Sequence, residues 1–394
     1  MVRFLKPEEL GETRIISTYV NYVQMLGCLG LSSAVLTFVP RMGDPAVRRQ
    51  WLKSTLLIVL GATAGFSLLA VWLSWHGLLM SSAHTAFWFR WSLLGGMATA
   101  ATSIIISFYQ AERAVKQLAG IQSVVRIAAL AFCVAGAWVG GFEGYIIAGI
   151  VSPFILLGSL IGNQSRTAVP LHKLMLPEGY MKVAGLAMIA TLLWTAGRTA
   201  DVVILDRLVT NRVKFGCYSL ALSISTIVSI INATVQIVTV PYFSKRHESG
   251  DWVLRNARKW QIAGTLVCIG VSILIITGVA LLLKPIYGTA YTVAAYYLVP
   301  LLLAQCLLAT FHIQAAAMGG IGLVKVNTTI GAIVVPISVG ISYFMAKKYG
   351  IEGAIWGQVI SAAFYAIVQS VWGWEILSRR ARGQRPVMPT HVSV

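Results

Sequence analysis

The sequence predicts an all-α polytopic membrane protein built from two pseudo-repeated helical bundles, and three observations predict it. The 394 residues are 57% apolar and only 11% charged, with a mean hydropathy of +0.77, which falls outside the range of ordinary soluble domains. Apolar runs of about 20 residues recur along the whole chain, the length a helix needs to cross a hydrocarbon layer roughly 30 Å thick. A membrane β-barrel would instead alternate in segments of about ten residues. Finally, Gly141-Phe142-Glu143-Gly144 and Gly350-Ile351-Glu352-Gly353 stand 209 positions apart, and Lys116 and Lys325 differ by the same 209.

Eleven spans are predicted, at about 15–39, 52–75, 86–110, 117–140, 143–163, 178–205, 214–244, 256–283, 291–318, 325–347 and 351–376. The connections are short and leave no room for an inserted soluble domain. Gly11 ahead of the first span matches Gly216 ahead of the seventh, and Pro40 matches Pro241, each followed by a basic segment with Gly43-Asp44 or Gly250-Asp251. Spans one to five therefore pair with seven to eleven. The sixth, which carries Arg198 and Asp201, has no counterpart. The simplest explanation is a parent architecture of six spans per half whose first helix is missing from this chain. Halves of parallel topology imply bundles related by an axis along the membrane normal. A five-helix N-terminal lobe over 1–170 and a six-helix C-terminal lobe over 171–394 are expected.

The 31 basic against 13 acidic residues give a formal charge of +18. In a soluble chain this would suggest nucleic acid, but no RNA- or DNA-binding signature accompanies it. In a membrane protein, cytoplasmic loops collect Lys and Arg, and anionic lipid headgroups attract them. Assigning loops alternately to the two sides puts nineteen Lys and Arg on the side of the C-terminus and nine on the other, with Arg90, Arg126 and Arg198 inside spans. A cytoplasmic C-terminus is expected. The N-terminal MVRFLKPEELGETR is polar and does not read as a cleavable signal peptide.

Ionisable groups at membrane depth are expensive enough to be functional candidates. Arg126 lies ten residues past Lys116, about halfway across at 1.5 Å per residue. Arg198 falls in the outer half. A planar guanidinium suits a phosphate or pyrophosphate held by paired hydrogen bonds, so Arg126, Arg198 and Arg90 are candidate substrate-binding residues. Arg90, near a span end, also reads as a snorkelling side chain, and Arg198 with Asp201, three positions apart, reads equally as a local pair. Asp201 is the candidate ion-coupling residue, since a carboxyl in a dry or like-charged site can exchange a proton. His312, well inside the ninth span, reads as a proton relay or a packing partner.

Polar residues also run along helix faces. Ser219, Ser223, Thr226, Ser229, Asn232, Gln236 and Thr239 follow at steps of three or four in the seventh span. The first span carries a weaker version in Ser17, Asn21, Gln24 and Cys28, and the last carries Gln358, Ser361, Tyr365, Gln369 and Trp372. In lipid such a face must turn to protein or water. Interhelical hydrogen bonding and a hydrated central cavity both satisfy that rule. The cavity reading makes Asn232, Gln236, Asn21 and Gln24 further substrate-binding candidates.

There is no Walker motif, HExxH, GxSxG or metal-spaced His/Cys cluster, so no enzyme, cofactor or metal is expected. The five cysteines, scattered through apolar segments, read as small core residues.

Several motifs then stand in a familiar order: Glu9-Leu10-Gly11 leading into Leu26-Gly27-Cys28-Leu29-Gly30-Leu31, then Asp201, Phe215-Gly216-Cys217-Tyr218 and Val240-Pro241-Tyr242-Phe243-Ser244. Tyr287-Gly288-Thr289-Ala290-Tyr291 and Tyr349-Gly350-Ile351-Glu352-Gly353-Ala354 complete the set. With these, nearly the whole chain resembles the polysaccharide-repeat-unit flippases of O-antigen and exopolysaccharide synthesis, relatives of the MATE exporters and lipid II flippases. The resemblance implies a MATE-like fold of two six-helix bundles working by alternating access in a bacterial inner membrane. The implied cargo is an undecaprenyl-pyrophosphate-linked oligosaccharide moved from the cytoplasmic to the periplasmic leaflet, with a cationic cavity for its headgroup and ion-gradient coupling. Implied partners are membrane lipids and the polysaccharide polymerase and glycosyltransferases of the same route, and no nucleic acid. A MATE-like cation or drug antiporter is the alternative, disfavoured because arginines outnumber buried acids. A membrane glycan polymerase is a more distant one, disfavoured by the short external loops.

Overall fold

The computed structural model describes the chain except residues 1–4, 43, 113, 163–178, 245–248, 322 and 383–394. Residues 163–178 and 245–248, with Arg166, Lys173, Lys245 and Arg246, and also Arg3, Arg113 and Arg385 of the charge count, lie outside the described residues. The described residues form ten α-helices: α1 Pro7–Cys28, α2 Leu31–Phe38, α3 Pro45–Trp75, α4 Ala83–Ala111, α5 Val115–Gly162, α6 Tyr180–Leu208, α7 Arg212–Ser244, α8 Gly250–Tyr287, α9 Thr292–Gly320 and α10 Val324–Ala381, with 3₁₀ turns at Val39–Arg41 and Thr289–Tyr291.

The 48 residues of α5 and the 58 of α10 would extend about 70 and 90 Å if straight, more than twice a hydrocarbon layer. Each reverses at a glycine instead. Gly141 takes φ 56°, ψ −133° and Gly350 takes φ 64°, ψ −134°, a conformation open to glycine and costly for other residues. The arms close tightly behind each turn. A Cβ on Gly144 would stand 2.2 Å from the Gly136 carbonyl oxygen, and one on Gly353 would stand 2.0 Å from that of Met345. Eight helices are long and apolar enough to cross a membrane, and α1 with α2 forms a further span bent by 45°. Dividing α5 and α10 at their glycines gives the eleven expected spans of a multi-pass membrane protein.

The chain separates into two compact units, Met1–Arg207 and Leu208–Val394. In the first, α4 is the central helix, packed against α1, α2, α3 and α5. Its small residues Gly95, Gly96, Ala98, Ala100 and Ala101 are buried and let neighbouring backbones approach, the usual device where lipid supplies no hydrophobic drive. In the second, α9 is central, packed against α7, α8 and α10. These are the third and ninth spans, equivalent members of the repeat.

The sixth helix falls within the first of these units. Its hydrogen bonds are made there. The hydroxyls of Tyr180 and Thr55 are 3.0 Å apart, Tyr180 and Ala184 join a core with Leu31, Val35, Leu52 and Ile104, and Ser81 Oγ donates to Asp206 at 2.7 Å. Tyr180 is only 1% exposed, and burying a ring of that size against α2, α3 and α4 holds the start of α6 in place. The helix without a repeat partner thus supplies the first unit with its sixth span.

Candidate functional site

Between α1 and α2 the first span is broken. Leu29 and Gly30 both take left-handed backbone conformations, at φ 49° and 69°. A Cβ on Gly30 would sit 2.1 Å from the Ala184 carbonyl oxygen, so the break is where α6 rests directly on the α1–α2 backbone. Further along the same contact, Thr195 Oγ1 donates to Met25 Sδ at 3.3 Å and the Tyr22 and Thr199 hydroxyls are 2.8 Å apart. This row of contacts sets the register between α1 and α6.

That register brings three charges together. Arg198 and Asp201 are three positions apart on α6 and share a face. Arg14 of α1 is within electrostatic reach of both, attracted by Asp201 and opposed by the like charge of Arg198. Asp201 is 3% exposed, and Arg14 and Arg198 are half-buried. The Arg198 guanidinium also lies 5.6 Å from the centroid of the Trp194 ring, a favourable cation–π position. Arg14 Nε is buried with no hydrogen-bond partner. Two guanidinium groups against one carboxylate leave a surplus positive charge in a poorly hydrated setting, where charge acts strongly. Such a group attracts an anion.

Sequence reasoning missed Arg14, because it stands ahead of the first apolar run and was counted with the polar N-terminal segment. The helix starts at Pro7, which carries Arg14 two turns inside it. Pro7 at the helix start and the two acids of its first turn, Glu8 and Glu9, are the N-terminal signals that could have revealed this.

The other expected site residues are dispersed. Arg90 donates from Nε to Ser74 Oγ at 3.2 Å and from a terminal nitrogen to the Ser74 carbonyl at 3.4 Å, and lies 5.5 Å from the Trp75 ring. These contacts cap the end of α3. Arg126 is exposed on α5, as are its neighbours Val124 and Ile127. Asn21 is exposed and Gln24 is half-buried on α1.

In the second unit the polar stripe of α7 is mostly consumed locally. The Ser219, Ser223 and Thr226 hydroxyls donate to carbonyls four residues back and Ser229 to one three back. Asn232 and Gln236 instead turn into the unit. The Asn232 side chain accepts from Cys268 Sγ at 3.1 Å, and Gln236 donates to the His312 carbonyl at 3.4 Å. The stripe of α10 behaves likewise, with Gln358 donating to the Tyr218 hydroxyl at 3.1 Å and Gln369 to Asn327 Oδ1 at 2.9 Å. These bonds join neighbouring helices, or the two arms of α10, inside one unit. His312 bonds through Nδ1 to the Leu308 carbonyl at 2.5 Å and stacks on Phe311, as a packing partner does. Among the described residues no cluster of three or more His, Cys, Asp or Glu could hold a metal ion.

With the geometry established, comparison with known proteins decides the family. The family model described as "Polysaccharide biosynthesis protein" matches residues 1–296, about three quarters of the chain. The chain belongs to this family. No curated protein matches it. Among solved structures, this polysaccharide biosynthesis protein is similar to a multidrug resistance MATE family transporter of the MOP superfamily at 12% identity, with a TM-score of 0.73 over 96% of this chain and 93% of that one. It is similar to the lipid II flippase MurJ at 12% identity, TM-score 0.67, over 95% and 85% of the two chains. The MATE transporter VcmN of Vibrio cholerae is 16% identical, with a TM-score of 0.61 over 95% and 89%. At these identities the likeness establishes the fold, which is the MATE-like one expected.

Proposed function

We propose that this protein flips an undecaprenyl-pyrophosphate-linked oligosaccharide repeat unit from the cytoplasmic to the periplasmic leaflet of a bacterial inner membrane, by alternating access coupled to an ion gradient. The observation that carries the reading is the surplus positive charge of Arg14 and Arg198 around Asp201 at the α1–α6 contact, in a chain of the polysaccharide biosynthesis family. A diphosphate bridge presents the paired oxygens that guanidinium groups bind best. A cationic drug would be repelled by the same group, which counts against the antiporter alternative. Asp201 is the coupling residue in this scheme: protonating it raises the positive charge at the site, and ionising it competes with the headgroup for Arg14. Asn21 and Gln24, on the same helix as Arg14, would bond the sugar hydroxyls. The C-terminus is cytoplasmic, and the polymerase and glycosyltransferases of the route are the expected partners.

The experiment is export of lipid-linked repeat units in cells lacking the protein, complemented by wild type, Arg14→Ala, Arg198→Ala or Arg126→Ala at matched expression. The proposal expects units to accumulate on the cytoplasmic side without the protein, wild type to restore surface polymer, and Arg14→Ala and Arg198→Ala to fail. Units that reach the periplasm unpolymerised in the absence of the protein would turn the assignment to a polymerase.

A further inference from the structure

In the second unit the start of α8 rests on the end of α10. A Cβ on Gly250 would stand 2.9 Å from the Arg380 carbonyl oxygen, and the Arg258 guanidinium lies 5.6 Å from the centroid of the Trp374 ring, a cation–π contact between the two helices. This approach gathers Arg255, Arg258 and Lys259 of α8 with Arg379, Arg380 and Arg382 of α10. The same two stretches hold only the acids Asp251 and Glu375, and Glu375 already pairs with Arg379. Arg380 is engaged at 3.2 Å by the Ile321 carbonyl. Arg255 and Lys259 are exposed and make no hydrogen bond or ion pair among the described residues. They stand four positions apart on one helix, where like charges repel, so a bound anion between them is favoured.

The same face of α8 continues into the membrane as an apolar row. Arg255, Lys259, Ile262, Leu266, Ile269 and Ile273 follow at steps of three or four and are all exposed, so they form one stripe along the helix. Ile262 and Ile273 are 11 positions apart, about 16 Å at 1.5 Å per residue. That is the depth of one leaflet in a hydrocarbon layer roughly 30 Å thick. Aromatic rings mark the junction between the cationic and apolar parts of the stripe. Trp260 stacks on Tyr242 of α7 with centroids 4.5 Å apart, and Tyr242 lies 5.2 Å from Trp252. Trp and Tyr collect at the level where headgroups meet hydrocarbon.

We propose that this face of α8, with the end of α10, is a binding site for an anionic phospholipid of the surrounding bilayer. Arg255 and Lys259, with Arg258 beside them, hold the phosphate, and one acyl chain lies along the row from Ile262 to Ile273. A soluble phosphate would use the cations and leave the row without a role. A phospholipid with no net charge would use the row and leave the cations uncompensated. An anionic phospholipid uses both, and basic groups at the ends of membrane helices are a recognised seat for such headgroups. The site is made wholly by the second unit and does not depend on the identity of the cargo.

The test is binding of dioleoylphosphatidylglycerol and dioleoylphosphatidylcholine to the full chain in detergent, measured by native mass spectrometry. Wild type is compared with Arg255→Gln/Lys259→Gln and with Lys347→Gln/Lys348→Gln, which removes the same charge from exposed positions beside the Gly350 turn. The expected result is a preference for phosphatidylglycerol in wild type and in the second variant. In Arg255→Gln/Lys259→Gln its affinity falls roughly tenfold or more, at about fivefold for each basic group removed. That variant keeps the Arg258–Trp374 contact, and its melting temperature without added lipid shows that it is folded; if it is not, Lys259→Gln alone gives the same reading at about fivefold. Excess glycerol 1-phosphate leaves the bound lipid in place. Unchanged binding in the α8 variants, an equal loss in Lys347→Gln/Lys348→Gln, no preference over phosphatidylcholine, or displacement by glycerol 1-phosphate overturns the proposal, the last by making this a site for soluble phosphate.

Discussion

Gly141 and Gly350 hold the same backbone conformation, φ 56° and ψ −133° in one and φ 64° and ψ −134° in the other, at positions 209 residues apart. Each turns a double-length helix back on itself, and a Cβ at either would meet nothing within 4 Å. The cost of a side chain there is therefore the backbone conformation alone. Gly141→Ala and Gly350→Ala should each destabilise by about 1–3 kcal/mol, and the double variant by roughly the sum, because the two turns belong to different units. Thermal unfolding of the purified variants in one detergent checks both magnitude and additivity.

Gly30 presents the opposite case. It is both left-handed and jammed against the α6 backbone, with a Cβ position 2.1 Å from Ala184 O and 2.6 Å from Met188 N. Gly30→Ala should lower stability by more than either turn substitution, roughly 3 kcal/mol or beyond, because backbone atoms must move. Yield and melting temperature measured beside Gly141→Ala show whether the order holds.

Asp206 fixes the far end of α6, accepting from Ser81 Oγ at 2.7 Å and the Ser81 amide at 3.4 Å, while Arg207 donates to the Gly77 and Leu78 carbonyls. Asp206→Asn should cost about 1–3 kcal/mol and leave cargo recognition intact. Unfolding compared with transport at a permissive temperature separates that structural role from a functional one.

Much of this was legible in the sequence. The repeat of Gly-x-Glu-Gly motifs located both turns, because a positive φ leaves a visible glycine. Span count and fold class followed from apolar run length, which the bilayer sets. The placement of α6 was not legible. It depends on pairings such as Tyr180 with Thr55 and Thr199 with Tyr22, 125 and 177 positions apart, and no local pattern encodes these. The candidate site was half legible. Arg198 and Asp201 stood out as charges in an apolar run, whereas Arg14 was hidden by its polar flank.

The charges at the α1–α6 contact have separable roles. Arg14→Lys and Arg198→Lys keep the charge but lose the paired donor geometry, so each should retain part of the activity that the alanine variant loses. Asp201→Asn should preserve headgroup binding and remove the dependence of transport on the ion gradient. Binding by the purified protein and flux with and without a gradient distinguish the two.

The most direct test of the central claim is leaflet-to-leaflet movement of an undecaprenyl-pyrophosphate-linked oligosaccharide in proteoliposomes containing only this protein, beside the same glycan on a neutral lipid carrier. The account predicts movement of the pyrophosphate-linked substrate by wild type, little movement of the neutral one, and a roughly tenfold or greater loss in Arg14→Ala and Arg198→Ala, in line with about 1.5–3 kcal/mol for a hydrogen bond to a charged group. Equal movement of both lipids, or full activity in both arginine variants, would contradict it.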